Sequence, residues 1–149
     1  MLRFLLLAGF LFATAISFPS AHAASFTNGF TVCLDDEGGN TANGTPIRSF
    51  PCNVTSAQDW SFDGVKIFGP GTIFGQPGKC VEVKGGGTAA GTPIQLSDCT
   101  GSGGQQWVYS NNLLVNLGSR QCLDVGLVVN QVATIQPCNG SAGQHWVIR

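Results

Sequence analysis

Residues 52–60 read CNVTSAQDW, residues 99–107 read CTGSGGQQW, and residues 138–146 read CNGSAGQHW. In each segment a cysteine is followed eight residues later by a tryptophan, and a glutamine stands two residues before that tryptophan. The three segments contain all 3 tryptophans of the chain. Three residue types that recur three times at one spacing indicate an internal repeat. The sequence therefore predicts a fold built from three copies of one unit.

The repeat extends upstream of these segments. Each cysteine has an earlier partner, 19, 19 and 16 residues before it, and a carboxylate follows each partner by two positions. These Cys-x-Asp/Glu motifs are Cys33-Leu34-Asp35, Cys80-Val81-Glu82 and Cys122-Leu123-Asp124. The third copy is shorter than the other two, which indicates shortened loops between retained strands.

The cysteines indicate a disulfide framework. There are 6 of them at matching repeat positions, and six cysteines allow fifteen pairings in principle. A zinc site or a catalytic thiol is the competing interpretation, but it lacks CxxC spacing and supporting histidines. The repeat selects one pairing inside each copy: Cys33–Cys52, Cys80–Cys99 and Cys122–Cys138.

The first 23 residues are predicted to be a signal peptide. A positive start at Arg3 precedes an apolar run over residues 4–16, and Ala21-His22-Ala23 supplies the small residues of a cleavage site. The apolar run is short for a membrane span. We therefore expect one domain over residues 24–149, secreted into an extracellular, oxidising environment, without membrane insertion.

Charge and composition narrow the class of partner. Without Arg3, six Lys and Arg against eight Asp and Glu leave a net charge near −2, and no basic run is present. Nucleic acid is therefore not an expected partner. Short segments such as residues 79–83 alternate apolar and polar positions, and glycine-rich turns separate them. This pattern is typical of an all-β domain, and units of about 40 residues must share one core.

The triplicated Gln-x-Trp and Cys-x-Asp/Glu motifs resemble those of the ricin B-type lectin family over residues 26–149. The resemblance implies a β-trefoil of three four-stranded repeats, each with one internal disulfide. It also implies a carbohydrate-binding protein whose partners are glycans or glycoproteins. Because all cysteines are expected to be paired and His145 is the only histidine after residue 23, we expect no catalytic residues, metal or other cofactor. We expect a monomer or a weak oligomer. Three residues are expected to fill the shared core: Trp60, Trp107 and Trp146.

The resemblance assigns candidate sugar-binding residues in each repeat. A carboxylate can accept bonds from neighbouring hydroxyls, a ring can cover the apolar face of a sugar, and an amide can contact another hydroxyl. The first repeat supplies all three groups, so we expect it to be the best site, although Arg48 replaces the family's usual glutamine. The candidates are Asp35, Arg48, Phe50 and Gln58 in the first repeat, Glu82 and Gln105 in the second, and Asp124 and Gln144 in the third.

Every repeat departs from the family pattern. The asparagine that precedes the glutamine is replaced by Ala57, Gly104 and Gly143. The aromatic position holds Ser97 in the second repeat and Gln136 in the third. For each glutamine and carboxylate the alternative is a structural role, as a partner of backbone groups in nearby loops. The departures place the family's galactose preference in question, and we expect the second and third sites to be weak or silent.

Other functions find less support in the sequence. The acidic run Asp35-Asp36-Glu37 is expected to be a solvated loop rather than a glycosidase acid/base pair. A trefoil protease inhibitor or another protein-binding trefoil is the main alternative, followed by a targeting module related to glycoside hydrolases. Three sequons mark possible N-glycosylation of surface loops: Asn43, Asn53 and Asn139.

Overall fold

The structure is a computed structural model that describes residues 24–29, 32–69 and 78–149. The predicted signal peptide, Phe30 and Thr31 lie outside the described residues. The described part is all β, with twelve strands and short 3₁₀ turns, which confirms the predicted fold class. The strands are β1 Phe26–Thr27, β2 Val32–Asp36, β3 Ile47–Pro51, β4 Ser61–Phe62, β5 Ile67–Phe68, β6 Lys79–Val83, β7 Ile94–Asp98, β8 Trp107–Ser110, β9 Leu113–Asn116, β10 Cys122–Asp124, β11 Thr134–Gln136 and β12 Val147–Ile148.

The strands form three four-stranded antiparallel sheets, ordered β12-β1-β2-β3, β4-β5-β6-β7 and β8-β9-β10-β11. The first strand of each sheet comes from the preceding repeat, and β12 closes the circle by pairing with β1 through Phe26 opposite Ile148. Each repeat therefore depends on its neighbour for backbone hydrogen bonds. This explains how units of this size, which cannot bury a core alone, form one domain.

Strand register sets the positions of the candidate site residues. In the first repeat Cys33 lies opposite Phe50, and Asp35 lies opposite Arg48. The second repeat places Glu82 opposite Gln95, and the third places Asp124 opposite Thr134. The residue four positions before the second cysteine thus faces the carboxylate in every repeat. This register makes that position the main variable at the three sites.

Turns of one repeat bind strands of the next with threefold regularity. The N–H of Gly44 donates to Leu96 O at 2.8 Å, Gly91 N–H donates to Ile135 O at 2.8 Å, and Asn130 N–H donates to Ser49 O at 2.8 Å. The three donors have positive φ values, of 86°, 85° and 62°. Asparagine tolerates this conformation better than most other non-glycine residues, so Asn130 can replace glycine in the third repeat.

The core lies where the three repeats meet, and all three tryptophans are in it with no exposed surface. Each indole Nε1–H also donates to the carbonyl of the residue between a cysteine and its carboxylate: Trp60 to Leu34 O at 2.9 Å, Trp107 to Val81 O at 3.0 Å, and Trp146 to Leu123 O at 3.1 Å. The tryptophans thus fill the core and fix the strand that carries each carboxylate.

The three expected disulfides are present, and all six cysteines belong to them. Each bond joins β2, β6 or β10 to the end of the following hairpin within the same repeat. In the chain-entropy model, loops of 16 to 19 residues contribute roughly 3 kcal/mol each to the free energy of unfolding. The pairing that the repeat predicted is therefore confirmed.

The acidic run at the end of β2 differs from the prediction. Glu37 is exposed, but Asp36 has no exposed surface and Asp35 has only 2%. The expectation of a solvated loop was therefore wrong for these two residues. Asp36 occupies the position of Val83 and Val125 in the other repeats, so strand alternation directs its carboxylate inward.

Asp36 is an ionisable group in an apolar setting. Neither carboxylate oxygen has a hydrogen-bond partner among the described residues. Burial, followed by repulsion from Asp35, raises the pKa of Asp36 from 3.8 to about 6. Because the folded state binds this proton more tightly than the unfolded chain, the stabilisation is complete below about pH 4 and is lost as the pH rises through 6.

Among the described residues, no helix has the length and apolar character that a membrane crossing requires.

We predict that Trp107→Ala lowers the free energy of unfolding by about 3–5 kcal/mol, because it opens a cavity in the shared core and removes the bond to Val81 O. Denaturant unfolding followed by circular dichroism measures the loss. Val108→Ala is the matched control, since Val108 is the next residue and is 38% exposed. Equal stability of the Trp107 variant and the parent protein would place the indole outside the core.

We predict that Asp36→Val stabilises the protein more at about pH 8 than at about pH 4, by up to roughly 3 kcal/mol. The valine needs no proton to be buried, whereas the aspartate does. Thermal melts at both pH values measure the difference, and Asp36→Asn serves as the non-titrating control. If the stability of the parent protein changes across this pH range as little as that of Asp36→Asn, then Asp36 does not titrate in this range.

Candidate functional site

The glutamine of each Gln-x-Trp motif connects the carboxylate of its repeat to the loop after the second cysteine. In the third repeat Gln144 Nε2 donates to Asp124 Oδ2 and to Pro137 O, both at 3.0 Å. Its Oε1 accepts the N–H groups of Asn139 at 2.9 Å and Gly140 at 3.2 Å. The corresponding carboxylate contacts are Gln105 to Glu82 at 2.8 Å and Gln58 to Asp35 at 3.1 Å.

These contacts decide what the glutamines can do. Each glutamine lies at the end of a 3₁₀ turn, Ser56–Gln58, Gly103–Gln105 or Ala142–Gln144, and is at most 4% exposed. Both amide protons are used, by the carboxylate and by a backbone carbonyl, so none is left to donate to a ligand. The geometry therefore supports the structural interpretation, in which the glutamines position the carboxylates.

In the first repeat, Arg48 covers both the carboxylate and the ring. Its Nε donates to Asp35 Oδ1 at 3.0 Å, and its guanidinium carbon lies 4.6 Å from the centre of the Phe50 ring. Because Gln58 binds the other oxygen, the side chain of Asp35 is only 3% exposed. Asp35, Arg48 and Phe50 all line a cavity of about 300 Å³, but Arg48 and Gln58 already bind the two carboxylate oxygens.

In the second repeat, the carboxylate faces an amide instead of a cation. Gln95 Nε2 donates to Glu82 Oε1 at 3.1 Å, and Gln105 binds Oε2. Glu82 and Ser97 are both partly exposed. The site thus has an accessible carboxylate and a polar hairpin, but Ser97 supplies no aromatic surface for a ring-shaped ligand.

In the third repeat, the carboxylate opens onto a cavity of about 400 Å³. Asp124 Oδ1 accepts the N–H of Gly126 at 2.6 Å, and Thr134, which faces Asp124, is too short to cover it. Polar side chains form most of the remaining wall: Gln131, Thr134, Gln136 and Asn139. Oxygen and amide groups therefore surround a partly exposed carboxylate, the arrangement that binds hydroxyl-bearing ligands.

Close backbone packing accounts for one departure from the family pattern. A Cβ on Gly143 would lie 2.7 Å from Asp124 Oδ1 and 2.7 Å from Gly126 O. Gly104 is packed similarly, with Val83 O at 3.2 Å from its would-be Cβ. An asparagine before the glutamine therefore does not fit this backbone in the third repeat, and in the second it requires neighbouring atoms to shift by a few tenths of an ångström. The packing depends on turns distant in sequence, which is why motif spacing alone does not reveal it.

The three sequon asparagines are exposed but have different surroundings. Asn43 binds the second repeat, with Nδ2 donating to Asp98 and Oδ1 accepting from Lys79. The Lys79 and Asn43 bonds lower the pKa of Asp98. Asn53 and Asn139 line the first-repeat and third-repeat cavities. Glycosylation of these asparagines stays a prediction.

The chain belongs to the family of ricin-type β-trefoil lectin domains, whose profile matches residues 25–146. This membership, together with the three sheets and the disulfides, confirms the β-trefoil fold and the resemblance found in the sequence. No curated protein sequence matches the chain significantly.

Solved structures share the fold at low sequence identity. The agglutinin of Abrus precatorius has 20% identity and a TM-score of 0.73, over 90% of this chain and 51% of that one. The C-terminal half of an earthworm R-type lectin, in complex with GalNAc, has 19% identity and a TM-score of 0.64, over 86% of this chain and 98% of that one. The β-trefoil lectin of the Vibrio vulnificus hemolysin, with N-acetyl-D-lactosamine bound, has 18% identity and a TM-score of 0.64, over 87% and 95%.

Proposed function

We propose that the protein is a secreted, non-catalytic lectin that binds carbohydrate at the third repeat and, once Arg48 has moved off the Phe50 ring, at the first. The observation that carries the proposal is the Asp124 carboxylate, which Gln144 of the Gln-x-Trp motif holds at the wall of a polar cavity. Family membership supports carbohydrate binding, and so do the relatives described above, which bind GalNAc and N-acetyl-D-lactosamine.

The first repeat remains the best equipped of the three. Phe50 provides a ring at the position where the family places its aromatic residue, and Arg48 contacts both this ring and the Asp35 carboxylate. A pyranose could stack on this ring once its face is free. The expected leading role of the first repeat stays a prediction, and it depends on the position of Arg48.

At the third repeat no arginine has to move before a ligand can reach the carboxylate. Its carboxylate is partly exposed and has room for a monosaccharide or disaccharide beside it. Without an aromatic surface we expect weak binding, on the order of millimolar, or about −4 kcal/mol. Effective attachment to a cell surface or glycoprotein would then require several sites or a multivalent target.

The arrangement of carboxylates supports a binding role rather than glycoside hydrolysis. Hydrolysis needs two carboxyl groups on either side of one cleft. Asp36 is fully buried, and Asp35 is covered by Arg48, so the acidic run does not provide such a pair. The three disulfides fit an extracellular protein, and secretion through residues 1–23 is part of the proposal.

We predict that Asp124→Asn weakens binding of GalNAc or N-acetyl-D-lactosamine at the third repeat by about tenfold or more, since a charged hydrogen bond contributes about 1.5–3 kcal/mol. Amide NMR titration that follows Gly126 and Asn139 measures this affinity. Glu82→Gln is the matched control in the second repeat, and thermal melts verify folding of both variants. Unchanged affinity in Asp124→Asn would remove the third repeat from the proposal.

A protein-binding trefoil is the second candidate, and one surface favours it. Four aliphatic residues of the third repeat are exposed by 40–79%: Leu127, Val128, Val129 and Val132. The corresponding turns of the other repeats are polar or glycine-rich, at residues 37–40 and 84–88. An exposed aliphatic turn of this kind is a common feature of protein interfaces.

We predict that Leu127→Ser combined with Val128→Thr leaves sugar affinity within about twofold of the parent protein, because these side chains lie outside the polar wall of the cavity. The same titration measures the effect, with Val65→Thr as an exposed aliphatic control. If no sugar shifts any amide while the double variant abolishes binding to a glycan-free protein partner, the protein-binding function replaces the lectin function.

A further inference from the structure

Arg48 occupies a distinctive position among the three repeats. It stands four residues before Cys52, where the second repeat has Gln95 and the third has Thr134. Strand register places this position directly opposite the carboxylate. A side chain with a guanidinium group can reach past the carboxylate to the ring two positions farther along the strand, whereas threonine cannot.

The contacts of Arg48 are with the same groups that a sugar would use. Its Nε–H fills one acceptor of Asp35, and its guanidinium lies over the Phe50 ring at 4.6 Å. Glu37 adds a third contact, with 3.7 Å between its Oε1 and Arg48 Nη1. The Arg48 side chain is 19% exposed, so it is held against the protein rather than extended into water. A planar cation that stacks on a ring and binds a carboxylate competes directly with a pyranose for both.

The other repeats provide internal comparisons. At the second repeat the neutral Gln95 binds the carboxylate, and Glu82 stays partly exposed. At the third repeat Asp124 opens onto its cavity. Only where arginine stands at this position is the carboxylate buried, at 3% side-chain exposure. The identity of this one residue therefore correlates with access to the site across the three repeats.

We propose that Arg48 occupies the sugar position of the first repeat and keeps that repeat closed until the guanidinium leaves the Phe50 ring. This inference rests on the proposed lectin function and makes Arg48 the residue that determines which repeat binds neutral sugars. A ligand at the first repeat must break the contacts of Arg48 with both Asp35 and Phe50. A ligand at the third repeat breaks no comparable contact.

Arg48→Gln tests the inference, because Gln95 shows that glutamine fits opposite the carboxylate. The full mature chain is titrated with N-acetyl-D-lactosamine, and amide NMR follows Asn53 and Thr55 at the first repeat and Gly126 and Asn139 at the third. We expect affinity at the first repeat to rise by about tenfold or more, with affinity at the third repeat unchanged. Arg120→Gln is the matched control for an exposed arginine.

Two results would overturn the inference and leave the lectin function intact. One is equal affinity at the first repeat in the parent protein and in Arg48→Gln. The other is weaker first-repeat binding in Arg48→Gln, which would make the guanidinium a ligand contact rather than a competitor.

A separate measurement needs no ligand. In the parent protein we expect the Arg48 Nε–H to exchange with solvent more slowly than that of Arg120, because Asp35 accepts it at 3.0 Å. Equal exchange rates would overturn the closed state directly. A chain that binds sugar at neither repeat, with arginine or with glutamine at position 48, would reject the lectin function and this inference together.

Discussion

The hydrogen bonds of the Gln-x-Trp motif are the interaction on which the rest of the structure depends. In each repeat the glutamine binds the carboxylate and the loop after the second cysteine, while the tryptophan binds the strand that carries the carboxylate. The disulfide joins the same two segments covalently. Two residues and one disulfide thus fix the position of a charged group at the surface of a shared apolar core. Buried polar groups with all their partners in place give such a site its rigidity.

The three repeats keep this frame and differ in the side chains around it. Ser49 stands where the second and third repeats have the core residues Leu96 and Ile135, and its hydroxyl donates to Val128 O at 2.8 Å. Asp36 likewise replaces a core valine, at a cost in stability that grows as the pH rises. The first repeat is therefore the most polar inside and, through Arg48, the most closed outside. Divergence of this kind lets one fold bury a carboxylate in one repeat and leave it partly exposed in the others.

The sequence predicted the frame because the frame is local and repeated. Cysteine spacing gave the disulfides, the Gln-x-Trp segments gave the core tryptophans, and strand alternation gave the β class. Access to the sites was not predictable in the same way. The stacking of Arg48 on Phe50, the burial of Asp36 and the tight contact of Gly143 with Gly126 all depend on register and on packing between distant turns. The pairing of Asp35 with Arg48 could have been inferred from the hairpin register, and it was the available signal for the burial of Asp35.

A crystal structure of the mature protein soaked with N-acetyl-D-lactosamine tests the central claim most directly. The account predicts sugar density in the third-repeat cavity, with a hydroxyl within hydrogen-bonding distance of Asp124, while the Arg48 guanidinium remains over the Phe50 ring. Sugar stacked on Phe50 with Arg48 displaced, and an empty cavity beside Asp124, would contradict it.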